Sequence, residues 1–157
     1  MSFGPASVNV MVNAEIRTLH ATDGTPVCNV SFDLSAQQLS ATARSVEATR
    51  LHRHQNAELS TDDVLALREL TGVGDELHRL SEPGANATVV FPLARFVALH
   101  DALTEWVAHH AERGWMREDD AAVHPLVAAL LDPMASLRED ALHAVLGDSA
   151  HAHEHDA

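Results

Sequence analysis

A chain of 157 residues with 46% hydrophobic content can bury one core of ordinary size, and 4% aromatic content makes that core mostly alanine, leucine and valine. A formal charge of −13 with histidines neutral disfavours nucleic acid and anionic membrane surfaces as partners, because binding to either depends on basic side chains. All ten basic residues are arginine and tyrosine is absent, which excludes lysine Schiff bases, a P-loop lysine, Ser-Lys dyads and Tyr-Lys proton relays.

No apolar run reaches the length of a membrane span, and Met1-Ser2-Phe3-Gly4-Pro5 carries no basic n-region or apolar h-region. A cytoplasmic protein is the expectation. The single cysteine, Cys28, leaves no intrachain disulfide framework.

Val8, Val10, Val12, Ala14 and Ile16 alternate with polar or exposed-type residues, the period of a half-buried strand. Cys28, Val30, Phe32 and Leu34 form the apolar face of a second strand, and Asp23-Gly24 between them marks a hairpin. Both apolar faces fall on even positions, so paired residues must sum to an even number. A two-residue turn gives an odd sum and splits the faces. A three-residue turn over Thr22-Asp23-Gly24 pairs Ile16 with Val30 and Ala14 with Phe32, and that register is the expected one.

Ser35 and Gln38 form a capping box for a helix whose Ala36, Leu39, Ala43 and Val46 follow helical spacing, and which ends near Arg50 to His54. A second helix is expected from Ser60 or Thr61 with Asp62 and Asp63 in its first turn, stopped or kinked at Gly72 and Gly74. Glu82-Pro83-Gly84 reads as a turn. Ala87 to Phe91 forms a third strand that enters the longest expected helix, with Phe96, Leu99, His100, Leu103, Trp106, Val107 and His110 on one stripe and Gly114 at its end. Asp119-Asp120 opens another helix that Pro125 interrupts or restarts. Asp132-Pro133 reads as a cap and first-turn proline of a last helix that Gly147 stops.

Val30-x-Phe32-x-Leu34 recurs as Val89-x-Phe91-x-Leu93, 59 residues on, and Asp62-Asp63 recurs as Asp119-Asp120, 57 residues on. These echoes suggest a β-α-α unit used twice. The expected class is α+β: a small antiparallel sheet, made of the N-terminal hairpin and one later strand, covered on one face by amphipathic helices starting at Ser35 and Leu93. Residues 1–147 form one globular domain and residues 148–157 a polar, His-rich tail.

Twelve histidines are the chain's most distinctive chemical resource. His151, His153 and His155 share one side of an extended tail, and imidazole suits Zn²⁺, Ni²⁺ and Cu²⁺. Asp101, Glu105, His109 and Glu112 lie on one face of the longest expected helix, as carboxylate–histidine metal ligands do in bundles, although no second helix offers a matching set. His100 and His110 sit on the apolar stripe, where histidines are usually core residues with both nitrogens satisfied. Gly72-Val73-Gly74 follows a helix and so lacks the strand–turn–helix setting of a phosphate loop. No catalytic residue is assigned.

Three functions follow, in order. The first is a non-catalytic, homo-oligomeric binding or regulatory module for a small-molecule or protein ligand, most simply a two-fold dimer. The second is a His-mediated divalent metal-binding protein using Zn²⁺ or Ni²⁺. The third is a small enzyme using His and Asp/Glu acid–base chemistry; no nucleophile motif supports it.

Overall fold

The computed structural model describes residues 14–20, 22, 26–56 and 60–156, with side chains described over 14–18, 22, 27–55 and 60–147. Its elements run β1 (Ala14–His20), β2 (Pro26–Leu34), α1 (Ala36–Asn56), α2 (Thr61–Ser81), β3 (Ala87–Pro92), α3 (Leu93–Arg113) and α4 (Glu118–Asp156). The chain is α+β, with a three-stranded antiparallel sheet in the order β1-β2-β3.

The hairpin takes the even register: Ile16 lies across from Val30 and Ala14 across from Phe32. Parity explains this, since Cys28, Val30, Phe32 and Leu34 are all buried and a one-residue slip would turn them to water. Val8, Val10, Val12 and the Asp23-Gly24 turn lie outside the described residues. On β3, Val89 and Phe91 are buried and Val90 is exposed, continuing the same alternation.

After β1 the elements repeat the order β-α-α twice. Ser31 pairs with Val90, residues related by the 59-residue offset, and the pairs Asn29–Pro92 and Asp33–Thr88 exchange under the same offset.

One face of the sheet meets helices. The helix α3 packs across β2 and β3, where Phe96 meets Phe32 edge-to-face at 5.5 Å. The helix from Ser35, α1, reaches β2 but lies mainly against α2 and α3, and α4, packed across β1 and β2, supplies more of the cover.

The Ser35 capping box is present: Gln38 N donates to Ser35 Oγ at 3.1 Å and Ser35 N donates to Gln38 Oε1 at 2.8 Å. Asn86, just before β3, accepts from Ala36 N at 3.1 Å and ties the start of α1 to the second half of the chain. Leu39 and Val46 are buried as expected, but so are Thr42, Ser45 and Thr49. Their hydroxyls donate to backbone carbonyls, Thr42 to Gln38 and Leu39, Ser45 to Ala41, and Thr49 across to Ala102 of α3. Satisfied hydroxyls on short side chains let α1 approach its neighbours closely without large apolar residues.

The helix breaks expected within α2 and α4 do not occur. The helix α2 runs unbroken through Gly72 and Gly74. Neither glycine adopts the left-handed conformation that ends helices. Gly72 leaves room for the Arg95 guanidinium, which a Cβ there would approach to 2.9 Å, whereas a Cβ at Gly74 would meet Val46 at an ordinary contact distance of 3.5 Å. The helix α4 runs through Pro125, Pro133 and Gly147, so it, and not α3, is the longest helix. The carbonyls that Pro125 and Pro133 leave without a helical donor belong to Ala121 and Ala129, both exposed and so open to water. Its 39 residues span about 58 Å, nearly twice any other helix. Gly114 does end α3, in the left-handed conformation at φ 75°, with its N–H on the His110 carbonyl. Among the described residues no helix is long and apolar enough to cross a membrane.

Candidate functional site

The C-terminal halves of α1 and α3 and the start of α4 enclose a cleft of about 630 Å³. That size is typical of small-molecule sites. Its floor is Trp106, only 4% exposed, covered by the ring of His110 at 4.2 Å and flanked by His124 at 5.7 Å. Helical spacing puts Trp106 and His110 one turn apart on the buried stripe of α3, and α4 closes over them.

His110 is 5% exposed. Its Nδ1 lies 2.8 Å from the Trp106 carbonyl and its Nε2 lies 3.3 Å from Asp120 Oδ2. Both partners only accept, so both bonds form together when each ring nitrogen carries a proton. Asp120 also accepts from Arg44 at 3.2 Å, which joins α1 to α4. Burial raises the Asp120 pKa, but the bonds from His110 and Arg44 outweigh it and hold the carboxyl below the usual aspartate value.

The walls carry further pairs. Arg53 bonds Glu105 at 3.0 Å, and Arg50 bonds Glu47 at 2.8 Å, which draws Glu47 below its ordinary pKa. His52 of α1 faces His109 of α3 with ring centres 5.1 Å apart. Arg113 lies over the Trp115 ring at 3.8 Å, and Glu112 and Arg117 complete the rim.

The residues suggested as metal ligands fall in three places. Asp101 faces away from the cleft and bonds Arg138 at 2.7 Å. Glu105 and His109 line the cleft, the one held by Arg53 and the other beside His52 with the two rings tilted by 45°. His151, His153 and His155 have side chains outside the described residues. The backbone there is helical to Asp156, unlike the extended chain expected. Among the described residues no group of three or more His, Cys, Asp or Glu side chains could hold a metal ion.

His100 lies at the other end of the α3–α4 seam. Arg138 donates to its Nδ1 at 3.2 Å, so Nε2 carries the proton and donates to the Leu131 carbonyl at 3.3 Å. Burial, then the Arg138 charge, lowers its pKa below the ordinary imidazole value. Cys28 is 5% exposed, and burial raises its thiol.

Sequence patterns single out His109, His110 and Glu105, but not Arg44, Arg113, Arg117 or Asp120 as partners of one site. Arg44 and Asp120 are 76 residues apart, and no local spacing joins them. The usable signal was the stripe itself, with Trp106 and His110 one turn apart at the end of an amphipathic helix.

Comparison with protein-family models, with curated proteins and with solved structures finds no match.

Proposed function

We propose that the chain is a non-catalytic binding module whose ligand occupies the cleft between α1, α3 and α4. The observation that carries this reading is a cleft of ligand size whose buried histidine, His110, and three of whose four carboxylates, Glu47, Glu105 and Asp120, are held by protein partners. His110 spends one nitrogen on a backbone carbonyl and the other on Asp120, leaving none for proton transfer with a substrate. Thr49 lines the cleft, but its hydroxyl donates to the Ala102 carbonyl and is no nucleophile. Such a site orients a bound molecule and does not turn it over.

In this reading the working unit is a homodimer. The edge strand β1 and a 59%-exposed Trp115 support it, since open sheet edges and exposed aromatic side chains often meet partners. The charge of −13 argues against nucleic acid as the partner.

Amide spectra of the labelled protein titrated with a small-molecule fragment set test the site. Shifts confined to residues 44–52, 105–113 and 117–120 are expected. Shifts elsewhere, or none, overturn it. Light scattering tests the dimer separately: a mass near 17 kDa at every micromolar concentration refutes it.

A further inference from the structure

Resting on the cleft as the ligand site, we infer that its ligand is a small, flat organic dianion held by Arg113 and Arg117. The argument concerns where uncommitted positive charge lies. Acidic residues outnumber arginines 23 to 10, so an arginine without a carboxylate is the exception in this chain. Seven of the ten pair with one. Among the described residues the other three are Arg68, Arg113 and Arg117, and two of those three line the cleft.

The carboxylates of the cleft do not neutralise them. Glu47 is taken by Arg50, Glu105 by Arg53, and Asp120 by Arg44 and His110. Glu112 alone is left, one negative charge against two positive ones. Arg113 Cζ lies 3.8 Å from the centre of the Trp115 ring, a cation–π contact that pairs its guanidinium with no carboxylate. Its in-plane N–H edge stays available, and this edge matches a carboxylate through two parallel bonds. A guanidinium laid on an indole is also more ordered than a free side chain, so less entropy is lost when it binds.

The rest of the cleft describes the body between the charged groups. An inorganic anion would leave most of about 630 Å³ unfilled. The imidazoles of His52 and His109 line one side of the cleft, and the buried rings of His110 and Trp106 lie at its floor, so the surroundings of the ligand's body are aromatic. A planar ring bearing two anionic groups fills that space and gives one group to each arginine. With the whole chain at −13, repulsion over long range opposes an anion, so recognition must come from these contacts at short range.

Isophthalate, benzamide and inorganic phosphate, titrated into the full chain and followed by amide shifts, test this. Isophthalate is expected to bind the cleft, and the double variant R113Q/R117Q to weaken it by at least about tenfold, the loss of one charged hydrogen bond or more. R68Q removes the remaining uncommitted arginine and should leave affinity unchanged. Isophthalate binding no better than benzamide overturns the dianion while the cleft stands. Phosphate matching isophthalate overturns the organic body. Equal weakening by R68Q and by R113Q or R117Q alone overturns the two arginines as the contact. If no probe moves a cleft amide, both this inference and the cleft reading fail.

Discussion

His100 and His110 lie on the same stripe of α3 and both reach α4, but the company they keep is opposite. At His100 the neighbour is Arg138, which donates, so the ring accepts at one nitrogen and gives at the other. At His110 both neighbours, the Trp106 carbonyl and the Asp120 carboxylate, are acceptors. The first seam holds a neutral ring between a cation and a carbonyl. The second closes a chain from Trp106 through His110 and Asp120 to Arg44 that spans three helices. Residue type and face on α3 therefore do not set a histidine's task. The donor or acceptor that α4 presents sets it, and only the second arrangement lies beneath the cleft.

Removing each ring should separate the two. His110→Ala leaves Asp120 with Arg44 alone and opens space beside Trp106, a loss of about 3 kcal/mol. His100→Ala should cost about 1 kcal/mol, because Arg138 keeps Asp101 and the ring is only partly buried. Urea unfolding of both variants checks the order, and equal losses would erase the distinction drawn between the two seams.

Asp120→Asn should cost about 2 kcal/mol, since it turns charge-assisted bonds to His110 and Arg44 into neutral ones. Asp120 is 17% exposed, so little of its share is screened, whereas Arg44 is nearly half exposed and contributes less. The Asp120 pKa is lowered in the folded state, so its stabilisation is present above the unfolded value near 3.9 and is lost as pH falls through the folded one. The variant should therefore lose less stability than the parent between about pH 4 and lower values. Parallel acid unfolding curves would refute this role.

The smallest effect belongs to His100 and pH. Its pKa is lowered on folding, so the unfolded chain takes the proton first and stability declines as pH falls below about 6.5. His100→Gln offers an acceptor to Arg138 and a donor to Leu131 but does not titrate. Melting temperatures from pH 7.5 to 5.5 should fall less for the variant. An identical slope would mean that the His100 ring carries no part of the acid sensitivity.

Local rules with a sharp geometric consequence were legible in the chain itself. The parity of Ile16 and Val30 decided the hairpin register, and Ser35 with Gln38 marked the start of α1. What could not be read were features set by a distant neighbour. Pro125 and Pro133 look like helix boundaries until Ala121 and Ala129 prove exposed. Gly72 looks like a stop until Arg95 fills the space above it. Thr42 and Ser45 look like surface residues because their bonds to helix carbonyls leave no mark in polarity patterns. The cleft was the least legible, since Arg44, His110 and Asp120 come from three helices and meet only after packing.

Cys28 faces Thr18 across the ladder between β1 and β2, beneath the helices. As the chain's one sulfhydryl, it is a built-in clock. A burial-raised thiol is a poor nucleophile while covered, so an alkylating reagent reacts when that part of the fold opens. The labelling rate, read across reagent concentrations, gives the opening frequency of the strand pair. Compared with global unfolding, it tells whether the edge strand detaches alone or only with the whole chain.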